Sequence, residues 1–221
     1  MDKSLLSLRR KFIILGLFAT AAMLAGAVVQ ANAANIVADP GFEIGTPGAY
    51  TGPIGDGWVV SNGTGAICNN SGSGCGSAGV AHAGTQMGFL DWSNTFNTVT
   101  QTLTTVVGQT YTISYFVVGT NPNFLEVTFG GSTLFNGTSP VNGVGSPSDY
   151  VQYTFTSTAT STSTVLAFSG QRTVGGEILL DDVSVTASSV PEPSSLLLLG
   201  TSMVGMIGVV RRKMNRHSRL L

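Results

Sequence analysis

The run Thr110-Tyr111-Thr112-Ile113-Ser114-Tyr115-Phe116-Val117-Val118 places Tyr111, Ile113, Tyr115 and Val117 on one side of an extended chain. Thr112, Ser114, Phe116 and Val118 fall on the other side. A period of two with one apolar side predicts a strand that buries one face. Its aromatic and β-branched residues suit such a surface. Working outward, the same pattern recurs. Val99, Gln101 and Leu103 alternate with threonines, and Val106-Val107-Gly108-Gln109 reads as a turn. Leu125, Val127 and Phe129 alternate with Glu126 and Thr128, and Val151, Tyr153 and Phe155 with Gln152 and Thr154. Val165–Phe168 and Glu177–Val185 complete the set. No stretch of this region carries a helical stripe. Sheets apolar on one face bury that face by stacking, so the pattern predicts an all-β sandwich. The stretch from Asn62 to Ala83 is poor in apolar residues and is expected to be a long loop.

The two ends differ from this middle. Lys3, Arg9, Arg10 and Lys11 precede an apolar run from Phe12 to Val29, and Ala31-Asn32-Ala33 follows. A basic start, an apolar run and a small-x-small site predict a cleavable signal peptide over 1–33. At the other end, Val190-Pro191-Glu192-Pro193 is stiffened by its prolines. An uncharged stretch, Ser195–Val210, then leads into a basic tail at 211–221. As a helix that stretch spans roughly 24 Å, short against a hydrocarbon core of about 30 Å but able to insert if the bilayer thins. The positive-inside rule leaves the basic tail in the cytoplasm. The expected organisation is a signal peptide at 1–33, a β-sandwich at 34–187 and a sorting segment at 188–221, with its motif at 190–193 and a transmembrane helix at 195–210.

This three-part end resembles the PEP-CTERM sorting signal of Gram-negative bacteria. The resemblance implies cutting near Pro191, Glu192 and Pro193 by an exosortase-type membrane protease. It implies an inner-membrane-anchored precursor that is then delivered to the cell surface or an extracellular matrix, of the kind found in biofilms.

Between the ends lie nine acids and one base, Arg172, a net charge of −8, although the whole chain sums to −1. Nucleic acid is excluded as a partner, because phosphate binding needs clustered lysine and arginine. Cys68 and Cys75, both in the exported part, are expected to form a disulfide that braces a Gly/Ser loop and adds about 2–3 kcal/mol. No C-x-x-C spacing suggests zinc.

Three segments of the middle carry a second resemblance: Asn35-Ile36-Val37-Ala38-Asp39-Pro40-Gly41-Phe42-Glu43 with Gly57-Trp58, the run from Val99 to Tyr115, and Leu180-Asp181-Asp182-Val183-Ser184-Val185. They are similar to elements of galactose-binding-like jelly rolls, which include xylan- and glucan-binding carbohydrate-binding modules. The resemblance implies a jelly-roll sandwich of about eight antiparallel strands with its first and last strands paired. It also implies one structural Ca2+ near those ends, for which Glu43, Asp181 and Asp182 are the candidate ligands. Strand alternation places Asp181 and Asp182 on opposite faces.

For sugar binding the candidates are outward-facing residues: Phe116, with Glu126 and Gln152 on neighbouring runs, and Trp92 beside Asp91. Trp58 is expected in the core. Catalysis has little to stand on. The single exported histidine, His82, lies in a Gly/Ala-rich stretch, and no G-x-S-x-G elbow is present. Asp91 and Glu126 are not fixed at a glycosidase spacing. The expectation is an exported, non-enzymatic protein that binds extracellular polysaccharide. The alternatives are a matrix protein without a defined ligand and, last, a glycoside-active enzyme.

Overall fold

Alternation along the chain becomes two stacked sheets in the computed structural model, which describes residues 33–72, 79–90 and 93–188. The expected signal peptide, sorting motif and transmembrane helix lie outside these residues. Among the described residues no helix is long and apolar enough to cross a membrane.

The described residues form twelve strands: β1 (Gly48–Tyr50), β2 (Pro53–Gly55), β3 (Trp58–Asn62), β4 (Gly65–Asn69), β5 (Gln86–Phe89), β6 (Asn97–Thr104), β7 (Thr110–Gly119), β8 (Phe124–Phe129), β9 (Ser132–Thr138), β10 (Val151–Thr158), β11 (Ser163–Gln171) and β12 (Ile178–Ala187). The first sheet runs β1-β4-β5-β12-β7-β10 and the second β2-β3-β6-β11-β8-β9, six strands each. The strands pair antiparallel throughout both sheets. Between the sheets lie Ile113, Tyr115 and Val117 of β7, Leu125, Val127 and Phe129 of β8, and Leu166 and Phe168 of β11. Trp58 is in this core as expected, stacked on Phe42 at 5.0 Å and tilted against Phe168 at 6.1 Å.

The sandwich has more strands than the eight or so expected, and β4 shows why. It lies within the stretch expected to be a loop, yet four of its five residues are buried. Its inner side joins the main core through Ile67. Its outer side meets a second apolar cluster of Ala66, Cys68, Ala81, Met87, Phe89, Val118, Tyr150 and Leu179. A strand covered on both faces has no period of two to read. The hairpin β8–β9 turns on Gly130-Gly131, whose φ values of 57° and 81° match the mirror-image turn that two-residue hairpins favour.

The expected pairing of the sandwich's first and last segments takes a compact form. Ile36 N–H donates to the Val185 carbonyl at 3.0 Å. The Asn35 side-chain amide donates to the Val183 carbonyl at 3.0 Å and accepts from Val185 N–H at 2.8 Å. Asn35 thus does the hydrogen bonding of a strand residue where β12 is irregular, between Asp181 and Ser184.

Candidate functional site

The outer face of the second sheet gathers a row of polar side chains beside aromatic surface. Side chains of paired residues share a face. Register therefore lines up Asn62, Thr98, Ser169, Glu126 and Asn136 across β3, β6, β11, β8 and β9. With strands about 4.8 Å apart, the row is roughly 19 Å long. Its members hold one another in place. Thr98 and Ser169 hydroxyls lie 2.9 Å apart, Asn136 Nδ2 donates to Glu126 Oε1 at 3.2 Å, and Asn62 Nδ2 donates to the Phe96 carbonyl at 3.0 Å. Glu126 is the one ionisable side chain in the row.

Apolar surface flanks this row. On one side Phe124, two residues before Glu126 and hence on the same face, meets Phe96 edge-on at 5.3 Å. Phe96 is 41% exposed. Gln171, the cross-strand partner of Phe124, is held by a bond from its amide to the Asn94 carbonyl at 2.8 Å. On the other side lie Val59, Thr100, Ala167 and Thr128.

Of the three sugar-binding candidates among the described residues, Glu126 alone belongs to this face. Gln152 is the cross-strand partner of Phe116 on the first sheet, so these two lie on the opposite outer surface. The expectation that Glu126 and Gln152 both lie on runs neighbouring Phe116 is corrected for Glu126: β10 pairs with β7, but β8 belongs to the second sheet. Phe116 is not an open platform either, because the His82 ring lies parallel to it with centroids 3.7 Å apart. Trp92 lies outside the described residues. Sequence reasoning missed Phe96, Phe124, Asn136 and Gln171. The alternation that turned Glu126 outward also turns Phe124 outward and was the available signal.

The metal candidates sit at the first sheet, where residues 82–86 cross β12. Asp181 is fully buried. Its Oδ2 accepts from the N–H groups of His82 and Ala83 at 2.8 and 3.1 Å, and its Oδ1 from Asp182 N–H at 2.7 Å. Burial, assisted by the Asp182 charge, pushes the Asp181 carboxyl up to about 7 against the pull of those donors. Asp182 Oδ2 meets His82 Nδ1 at 2.5 Å. Among the described residues the buried Tyr150 hydroxyl has no hydrogen-bond partner. Burial, then the charges of Asp181 and Asp182, raise it above its ordinary range.

Asp181 and Asp182 do not lie on opposite sides as alternation predicts. Asp182 has φ of 46°, at the irregularity in β12, and this turns the two carboxylates toward one another's side. A Cβ placed on Gly41 would lie 3.4 Å from Asp181 Oδ1 and 3.9 Å from Asp182 Oδ1. The missing side chain leaves a cradle faced by two hard oxygens, a donor chemistry that suits calcium. Glu43 is otherwise engaged. Its Oε1 accepts from Thr85 and Gln86 N–H at 2.7 and 2.8 Å, and its Oε2 from the Thr85 hydroxyl at 3.0 Å. Among the described residues, no three His, Cys, Asp or Glu side chains are grouped to hold a metal by themselves. Carbonyl or water oxygens would have to complete any calcium shell.

Cys68 is disulfide-bonded. Cys75, Pro191, Glu192 and Pro193 lie outside the described residues.

Residues 189–213 match the PEP-CTERM protein-sorting motif, which marks the chain as an exported protein. No curated protein matches it in sequence. Among solved structures it is similar to TmCBM61, solved in complex with β-1,4-galactotriose, at 14% identity and TM-score 0.48 over 70% of this chain and 99% of that one. It is similar to the CBM22-1 xylan-binding domain of Paenibacillus barcinonensis Xyn10C at 18% identity and TM-score 0.47, over 72% and 98%. A family 35 carbohydrate-binding module from Clostridium thermocellum aligns at 10% identity and TM-score 0.44, over 65% and 99%. At these levels the likeness concerns the course of the chain and carries no ligand with it.

Proposed function

We propose that this exported protein is a non-catalytic module that holds neutral extracellular polysaccharide on the outer face of its second sheet. The observation that carries the reading is the row of Asn62, Thr98, Ser169, Glu126 and Asn136 beside the Phe96–Phe124 pair. A sugar ring has apolar C–H faces and a polar rim. An aromatic surface next to aligned amides, hydroxyls and a carboxylate meets both at once. The net charge of −8 between the targeting ends disfavours polyanions. After export, an exosortase-type protease cuts near Pro191-Glu192-Pro193 and delivers the module to the surface or matrix.

One Ca2+ belongs to the same reading, held by Asp181 and Asp182 in front of Gly41. When bound it supplies charge compensation for two adjacent carboxylates and ties residues 39–43 to β12. It takes no part in ligand recognition.

Affinity electrophoresis of the protein purified from producing cells tests the function. Gels cast with neutral glucan, galactan or xylan are expected to retard it, and gels cast with a uronate-rich polymer are not. Equal mobility in every gel contradicts the proposal and leaves a matrix protein without a defined ligand.

A further inference from the structure

The two sides of the sandwich are finished differently. On one side the sheets end in β1 and β2, three residues each. Strands this short offer few free backbone groups, and Pro53 of β2 has no N–H at all. On the other side the sheets end in β10 and β9, of eight and seven residues. β10 reads Val-Gln-Tyr-Thr-Phe-Thr-Ser-Thr, without a charge, a proline or a glycine. It pairs with β7 in unbroken register from Val151 to Thr158. Among the described residues no strand lies on its outer side. About half of its N–H and C=O groups therefore point away from the sheet. Natural proteins guard such an edge with lysine, proline, a bulge or a covering element. β10 has none of the first three, and β9 also carries no charge.

The seam behind this edge is aromatic. Tyr153 and Phe155 of β10 are half-buried and stack on the buried Tyr115 at 5.6 and 6.2 Å. Phe135 of β9 meets Tyr153 at 5.0 Å. The nearest acid along the chain, Asp149, is occupied in accepting from Ser146 N–H at 2.8 Å.

We propose that β10 is where two copies of this chain pair, antiparallel about a two-fold axis, so that their first sheets become one continuous sheet. A second copy fits better than another partner for three reasons. An antiparallel strand is its own complement under a two-fold axis. Two molecules that are both strongly acidic can approach most easily along an uncharged edge, whereas a basic partner would be drawn elsewhere. Each copy also extends the sheet beside the other's Tyr153 and Phe155, which covers the seam. Two-fold pairing uses up the same edge of both copies, and the blunted β1–β2 side offers none to extend the sheet, so assembly through β10 closes at two.

The test measures mass by sedimentation on the chain purified from producing cells, and needs no glycan. The wild type is expected at twice the monomer mass. Thr154→Lys/Thr156→Lys, at two solvent-exposed positions of β10, is expected at the monomer mass with an unchanged circular dichroism spectrum, because like charges meet across the axis. Amide exchange on the wild type gives an independent reading: protection of half of the β10 amides should be lost on dilution. A wild type that is monomeric at every concentration overturns the proposal. So does an open-ended polymer, a dimer that survives in the folded variant, or β10 protection that ignores dilution.

Discussion

Gly84→Ala probes the acid-held segment at residues 82–86. Gly84 has φ of 64°, where a non-glycine residue costs about 1–2 kcal/mol. A Cβ there would stand 2.2 Å from Glu43 Oε1 and 2.7 Å from Glu43 Cδ, so the carboxylate must leave. Leaving breaks its bonds from Thr85 N–H, Gln86 N–H and the Thr85 hydroxyl. At about 0.5–1.5 kcal/mol net each for partly solvated bonds, the three together contribute about 1.5–4.5 kcal/mol. The substitution should therefore cost about 2.5–6.5 kcal/mol, a fall in Tm of at least about 5 °C for a domain of this size. Thermal unfolding of wild type, Gly84→Ala, Glu43→Ala and the double variant closes a cycle. In the Glu43→Ala background Gly84→Ala should cost only the backbone part, about 1–2 kcal/mol. Equal costs in the two backgrounds would show that Glu43 does not hold this segment, and the reasoning would fail.

Other outcomes follow from the same structure. In chelator, stability should fall as pH rises from 5 to 8: Asp181 is held up to about 7, so its contribution is complete below its ordinary value of 3.8 and is lost as pH passes through 7. Asp181→Asn should reduce that slope, and a wild type whose Tm rises over this range would contradict the assignment. Calcium at a hundredfold excess over its dissociation constant should restore about 2.7 kcal/mol, magnesium should not, and Asp182→Asn should abolish the response; thermal unfolding reads all three. Trp58→Phe removes the donor to the Asp39 carbonyl, now 2.9 Å from Trp58 Nε1, and should cost about 1–3 kcal/mol by chemical denaturation, whereas no loss would mean that water satisfies that carbonyl.

Alternation made legible those strands that bury one face. β6, β7, β8, β10, β11 and β12 all announce themselves in this way, and together they define the sandwich. It could not show β4, whose residues Gly65-Ala66-Ile67-Cys68-Asn69 are small or buried on both sides. Nor does it report pairing. Glu126 and Gln152 both point outward as read, but a strand's face says nothing about which sheet the strand joins, and long-range register separated them. Asp181 and Asp182 fail for a local reason: alternation holds only while φ stays extended, and Asp182 leaves that region. His82 was legible as a lone histidine in a Gly/Ala-rich stretch. Its place on Phe116 and on Asp182, the latter a hundred residues further along the chain, depends on contacts beyond any local pattern.

The most direct test of the central claim is the affinity of wild type and Phe96→Ala/Phe124→Ala for whichever neutral polysaccharide retards the wild type, titrated by calorimetry. Saturable binding by the wild type and at least a tenfold loss in the variant, with its Tm retained, are expected. Undiminished binding by a folded variant would remove the second sheet's outer face from the function.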